Sequence, residues 1–519
     1  MSAVAAAPIP AARKWAIAAT AALGALMEIV DTSIVNVALS DMQSTLGATL
    51  SEVGWVITSY AIANVVVLPL TAWLGAMFGK KRYYMFSLIG FTAASFLCGV
   101  STSLWTLVLA RTLQGLTGGG LLSKAQSILF ETFPPEEQPM AQALFGVVAI
   151  AGPVIGPTLG GYIVTNLDWR WIFFINIPIG IASISLAGKF LPADTEAPAK
   201  VKSDLPGLLL LFVGLGSLQW VLEEGQSEDW FESKFVLAAT VAAVTGLVLF
   251  VWRELSTDHP CVDLRVLRHR SLAAGSMFSL VLGATLYGAL FAIPVFAQTI
   301  MHLTAQQTGL LLAPGALLAA FMMPIAGKLL RTVDPRILII GGACTLLVAV
   351  LKLAHLSVTS GEDQLYWPLI IRSAGTVFMF LPLSIASMGG IPKQDLGKAT
   401  AFYNLTRQLG GSMGIAFLTT YLSRRIAANK VALSAHLVAT DPRVQERISR
   451  TVGALMARGL DEVRAREMAL RSLSGTVARE SMIRSFNDTF YATAILIVVT
   501  LPVVLLLRRP KAVVAVDAH

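Results

Sequence analysis

The sequence predicts an all-α polytopic membrane protein, and three observations predict it. The 519 residues are 55% hydrophobic and only 13% charged, where a soluble chain of this length carries roughly 25% charge. Mean hydropathy is +0.70. Apolar runs of roughly 20 residues, the length that crosses a bilayer as a helix, recur along the whole chain. The net charge of +8 fits Lys and Arg gathered in inner loops better than a nucleic-acid surface.

Fourteen spans are expected, starting near residues 15, 54, 83, 104, 140, 171, 205, 235, 272, 309, 337, 366, 399 and 487. The first follows Arg13 and Lys14 and is too long for the apolar core of a cleaved signal, so it reads as an uncleaved span. Orientation follows from loop charges. With the N-terminus inside, short inner loops and inner span ends hold 21 Lys/Arg and short outer loops hold three, Arg170, Lys234 and Lys352. The inner set includes "GKKR" (79–82), Arg253, Arg265, Arg268, Arg270, Lys328, Arg331, Arg336 and "RRPK" (508–511). The even count places the C-terminus inside as well. One inner loop, "ETFPPEEQP" (131–139), is acidic and relieved only by Lys124. Residues 424–486, between spans 13 and 14, are polar, hold twelve Lys/Arg and fall outside. Apolar residues at helical spacing within them predict a helical hairpin.

Two pieces recur at nearly one offset. "PLTAWLGAMFGKKR" (69–82) matches "PIAGKLLRTVDPR" (324–336) on Pro69 and Pro324, 255 residues apart. "LARTLQG" (109–115) matches "IIRSAG" (370–375) on Arg111 and Arg372, 261 apart. Internal repeats mark secondary transporters, whose halves move around a midplane site. The halves are expected at 14–190 and 272–507, the second including the 424–486 hairpin, with an inserted helix pair at 205–253.

Over residues 24–180, and more thinly to about 420, the chain resembles the fourteen-span drug:proton antiporters of the major facilitator superfamily, of EmrB/QacA type. The carriers are "LMEIVDTSIVNVAL" in span 1, "WVITSYAIAN" (55–64) in span 2 and "LARTLQGLTGGG" (109–120) in span 4. "AGPVIGPTLGGYI" (151–163) in span 5 and "DWRWIFFINIPIG" (168–180) entering span 6 complete the set. The loop after span 2 departs from the family pattern Gly-x-Leu-x-Asp-Arg-x-Gly: Ala72, Leu74, Ala76, Met77 and Gly79 leave its Asp and Arg unfilled. The resemblance implies the major facilitator fold and export of lipophilic weak acids, uncouplers and hydrophobic antibiotics. It also implies an inner-membrane location, and a periplasmic adaptor and outer-membrane channel met by the outer hairpin.

Charges inside spans are costly and therefore functional candidates. Glu28 and Asp31 lie one turn apart in span 1. Asp31 and Arg111 both fall roughly 10 Å from the outer face at 1.5 Å per residue, so they are expected to pair. One carboxylate then neutralises Arg111, and the other is free to exchange a proton. The resemblance places the family's span-1 acid at Asp31 and so implies that Asp31 is the coupling acid. Glu28 has no family assignment, lies near the midplane and is expected to line the substrate cavity, the roles being swapped if Asp31 is instead the fixed counter-ion of Arg111. Arg372 mirrors Arg111 in the outer third of span 12, and Arg407 falls near the midplane of span 13. A cavity with this surplus of positive charge favours lipophilic anions. Further candidates for an apolar pocket are Trp55, Tyr60, Asn64, Gln114, Phe291, Gln298 and Phe378. In span 5, Gly152, Gly156 and Gly160 form a stripe for close helix approach, and Pro153 and Pro157 can bend the helix. The resemblance makes these residues, with Gly161, the antiporter motif, whose bent span 5 packs against the other half at span 10.

Enzymatic readings find little support. "GGSMG" (410–414) fits a nucleophile pattern, but it lies inside span 13 rather than on a strand-to-helix elbow. No Gly-Lys is followed by Ser or Thr, so there is no phosphate-binding loop, and transport is expected to draw on an ion gradient. Cys98, Cys261 and Cys344 are widely spaced, suggesting neither disulfides nor a metal; no cofactor is expected. The rival readings are a narrow metabolite exporter of the same fold, and a membrane scaffold or channel without coupling.

Overall fold

In the computed structural model, residues 10–194, 204–435, 437 and 440–507 are described; "RRPK" (508–511) lies outside them. The described chain is helical throughout. Its helices are α1 (Ala11–Leu46), α2 (Leu50–Val67), α3 (Thr71–Phe78), α4 (Lys80–Gly99), α5 (Leu104–Gly118) and α6 (Leu121–Thr132). Next come α7 (Gln138–Asn166), α8 (Trp171–Phe174), α9 (Asn176–Phe190), α10 (Leu205–Glu224), α11 (Lys234–Ser256) and α12 (Arg270–Thr299). The last are α13 (Ala305–Leu329), α14 (Pro335–Leu353), α15 (Glu362–Met388), α16 (Leu396–Ala435), α17 (Pro442–Met456) and α18 (Glu462–Thr500).

Local chemistry sets many of these starts. Thr49 with Glu52, Ser103 with Thr106 and Thr304 with Gln307 close reciprocal caps on α2, α5 and α13, satisfying backbone N–H groups that the helix itself leaves free. Asp204 and Asp334 cap α10 and α14 just before a proline in the first turn, a position where proline loses nothing. Gly47, with φ of 63°, ends α1 in the left-handed conformation that glycine adopts without strain.

Eleven helices among the described residues are long and apolar enough to cross a membrane. The expected spans starting near 83, 104 and 399 fall on helices outside that set, each for a visible reason. α4 opens on Lys80, Lys81 and Arg82. Span 4 is not one helix but two, α5 and α6, parted at Gly118–Gly120. α16 carries Asn404, Arg407 and Gln408 in its first third. The last span also differs: its helix begins at Glu462 and runs unbroken out of the hairpin, rather than starting near 487.

The packing repeats itself. α1 lies on α7 as α12 lies on α16, α2 on α5 as α13 on α15, and α4 on α5 as α14 on α15. α7 packs along α13, and α6 meets α16 as α7 meets α15. α10 and α11 form a hairpin beside α2, held by Thr58 Oγ1 donating to Glu224 Oε1 at 2.8 Å and by Trp230 Nε1 donating to Thr420 Oγ1 at 2.9 Å. Large apolar side chains such as Phe86, Phe212, Phe235 and Phe321 stay exposed, as a lipid-facing surface requires.

The stripe of Gly152, Gly156 and Gly160 faces α1, where an added Cβ would meet Ile29, Ser33 and Ile34. α7 reaches α13 with another face, on which Thr158 sits against Gly309, Gly161 against Gln306 and Pro139 against Gly327. A helix buried on two sides needs small residues on both.

The acidic inner loop is balanced through space. Lys14 pairs with Glu137 at 2.9 Å and Lys80 with Glu131 at 2.7 Å. Where the loop after span 2 lacks its patterned Asp, Asp194 accepts the backbone N–H groups of Lys81 and Arg82 at the start of α4.

The 424–486 hairpin is helical as expected: α16 extends into it, α17 crosses, and α18 returns. Arg425 pairs with Asp488 at 2.6 Å and Asn429 donates to Ser485 at 3.0 Å, fastening its base. No residue of α17 is buried.

Candidate functional site

Asp31 and Arg111 pair, as their shared depth predicts. Arg111 Nη1 donates to Asp31 Oδ2 at 2.6 Å, and the side chains are 1% and 0% exposed. Further hydrogen bonds surround the pair. Asp31 Oδ1 accepts from Gln114 Nε2 at 2.9 Å and Asn176 Nδ2 at 2.8 Å. Arg111 Nε donates to the Val56 carbonyl at 3.0 Å, and Nη1 also to Gln114 Oε1 at 2.7 Å. The guanidinium lies 4.2 Å from the centroid of the Tyr60 ring, a favourable cation–π seat. Four elements, α1, α2, α5 and α9, thus converge on one buried ion pair.

Glu28 is held differently. It is 6% exposed, and its carboxylate accepts from Asn64 Nδ2 at 2.9 Å and from the Leu122 backbone N–H at 2.7 Å. Both donors are neutral. Leu122 is in the first turn of α6, so Glu28 caps a half-helix that exists because span 4 breaks. Gly119 makes the break possible: a Cβ there would lie 2.8 Å from both the Asn64 and Gly115 carbonyls. An anion at a helix N-terminus is favourably placed. The charged groups within electrostatic reach of Glu28 are Asp31 on its own helix and Arg407 on α16, and Tyr60, Tyr83 and Tyr84 surround it from α2 and α4.

Arg407 is 3% exposed, packs 5.2 Å from the centroid of the Phe380 ring and leaves Nη1 without a hydrogen-bond partner. Arg372 is 6% exposed and leaves Nε unpartnered. It borders a cavity shared by α7, α12, α13 and α15. The structure therefore gathers Glu28, Asp31, Tyr60, Asn64, Arg111 and Gln114 into one cluster. Trp55, Phe291 and Phe378 are half-buried and Gln298 is exposed; none of these four joins it by hydrogen bond.

Sequence reasoning missed Asn176, Gln126 and Asn404. Gln126 on α6 donates to Ser384 Oγ on α15 at 2.8 Å and accepts from Asn404 Nδ2 on α16 at 2.6 Å. Each is an amide inside an apolar run, the signal that could have singled it out. Ser412, read as packing, accepts from Gln219 at 2.8 Å.

Comparison with known proteins settles what this architecture is. The family model described as Major Facilitator Superfamily matches residues 21–415. The chain is 32% identical to the "Multidrug export protein EmrB" of Escherichia coli over 490 residues, covering 94% of each chain. The chain belongs to the EmrB-like transporters of the major facilitator superfamily. It is a multi-pass membrane transporter, not an enzyme. It is also 32% identical to the "Fatty acid resistance protein FarB" of Neisseria gonorrhoeae over 94% of this chain and 95% of that one. A solved structure, the human organic anion transporter MFSD10 (TETRAN), superposes with a TM-score of 0.57 at 13% identity, over 94% of this chain and 100% of that one, which shows the shared fold.

Proposed function

We propose that this EmrB-like transporter exports amphipathic compounds in exchange for protons, by alternating access between two six-helix halves, 14–190 and 272–507, with 205–253 an inserted pair. Fourteen crossings with both termini cytoplasmic, in a bacterial inner membrane, complete the reading. One observation carries it: two buried carboxylates one turn apart, one locked to an arginine and the other held by neutral donors alone.

Within the Asp31, Glu28 and Arg111 cluster, Asp31 is the fixed counter-ion and Glu28 the proton carrier. Protonating Asp31 would strand Arg111, because breaking a buried pair leaves an uncompensated charge worth about 3–5 kcal/mol. Protonating Glu28 breaks no direct salt bridge, since both its hydrogen-bond donors are neutral, and weakens the acceptor at the N-terminus of α6. That half-helix carries Gln126, whose amide bridges to Ser384 and Asn404 in the other half. Proton loading at Glu28 thereby loosens the inner contact between halves, and proton release restores it. Each pH unit supplies about 1.4 kcal/mol per proton, and 100 mV about 2.3 kcal/mol more.

The relatives' names, multidrug export and fatty acid resistance, favour drugs and lipophilic weak acids as substrates, and uncouplers and hydrophobic antibiotics belong to the same reading. Tyr60, Asn64, Gln114, Phe291, Arg372 and Arg407 are candidate contacts. The charged outer hairpin, which spanning does not require, suits a periplasmic adaptor leading to an outer-membrane channel. Inverted vesicles test the coupling: accumulation of an exported compound should collapse when the proton gradient is dissipated. Accumulation that survives dissipation contradicts it.

A further inference from the structure

The two halves treat their matched arginines unequally. Arg111 and Arg372 correspond in the repeat, and both are buried in the outer part of their spans. Arg111 meets Asp31, Gln114 and the Val56 carbonyl. Arg372 has no ion pair among the described residues, and its Nε lacks an acceptor. The two offsets of the repeat, 255 and 261, carry Asp31 onto Leu286 and Ala292 of α12, neither of them acidic, and Leu286 lines the cavity beside Arg372. The second half keeps the cation and leaves it facing a leucine and a void.

That void is bounded by Ala149, Ile150 and Val154 of α7, Leu286 of α12, Ala316 of α13, and Arg372, Ser373 and Thr376 of α15. It is about 10 Å3, the room of roughly one water molecule. Its walls come from both halves, so it widens when α7 parts from α12, α13 and α15. Ser373 donates to the Leu369 carbonyl and Thr376 to the Arg372 carbonyl, and neither oxygen accepts from Arg372 Nε, which has no partner. A buried guanidinium facing an aliphatic wall suits one ligand class, an amphipathic monoanion whose carboxylate meets the charge and whose apolar body meets the wall. Arg407 is not equivalent, since Glu28 lies within its reach.

We propose that Arg372 is the seat for the carboxylate of an exported amphipathic monoanion, which supplies the counter-charge that Asp31 supplies to Arg111 in the other half. This rests on the exporter reading and deepens it. The seat predicts a preference between two ligands of one shape, 1-naphthoate and its neutral isostere 1-naphthamide. Equilibrium dialysis with the full chain in lipid nanodiscs, without any gradient, measures both affinities. Wild type should bind 1-naphthoate at least tenfold more tightly than 1-naphthamide. Arg372→Gln should reduce that ratio to near one, and Arg372→Lys should keep most of it. Leu286→Glu, which builds the missing carboxylate into the chain, should also abolish the preference. Monodisperse elution on size exclusion checks folding, and the two arginine variants decide the matter if Leu286→Glu does not fold. A wild type without the preference, or an Arg372→Gln variant that keeps it, overturns the seat. Because no gradient is present, the outcome is independent of proton coupling. A chain that shows the seat but accumulates nothing in energised vesicles fails the exporter reading alone.

Discussion

Asp31 and Arg111 are worth more as a pair than either is alone. Arg111→Ala should leave Asp31 buried against two amides with no cation, costing about 3–5 kcal/mol; thermal unfolding of purified protein should show a large loss. Arg372→Ala strands no partner and should unfold near the wild-type temperature. Equal losses in the two variants would contradict this asymmetry. The pair was legible in the sequence because depth is arithmetic: residue counts along two antiparallel spans bring Asp31 and Arg111 to one level. The asymmetry between Asp31 and Glu28 was not legible. It depends on Asn176, Gln114 and Leu122, which approach from three other elements, and no count along span 1 reports which carboxylate they reach.

At the scale of elements, span 4 matters most. Its hydropathy reads as one helix, and only three consecutive glycines, Gly118–Gly120, hint at the break that gives Glu28 a backbone partner. Gly119→Ala should push against the Asn64 and Gly115 carbonyls, costing about 1–3 kcal/mol, and should impair export more than its stability loss explains, because α6 shifts away from Glu28. Export by cells at matched membrane levels, set beside the unfolding temperature, checks this. The hairpin was legible in its helical spacing, and its boundaries were not, since α16 and α18 run through the expected ends of their spans. Removing residues 430–480 should leave the protein inserted and folded while abolishing resistance in a Gram-negative host. Persisting resistance, with no adaptor recovered by cross-linking, would contradict adaptor docking. At the inner end, the hydrogen bond from Arg253 holds the Asp204 carboxyl below its ordinary range. A depressed carboxyl contributes stability above its unfolded pKa and loses it only as pH falls through the folded value. This anchor of α10 therefore stays charged near neutral pH, and Asp204→Asn should leave the pH profile of transport unchanged.

For the whole molecule, the repeat in the sequence and the repeated helix packing point to two halves of one design. What the sequence could not show is where they are fastened together. Gln126, Ser384 and Asn404 are ordinary residues of apolar runs until folding brings α6, α15 and α16 together. The central claim is that a proton on Glu28, rather than on Asp31, switches this contact. Glu28→Gln keeps the shape and the hydrogen-bonding capacity while removing the titratable proton. Proteoliposomes with an imposed pH gradient measure it most directly. Glu28→Gln should lose uphill, gradient-driven export while keeping downhill exchange of the same compound, and Asp31→Asn should lose both together with its thermal stability. Uphill export that survives in Glu28→Gln, with Asp31→Asn folded and selectively uncoupled, would contradict the account and assign the proton to Asp31.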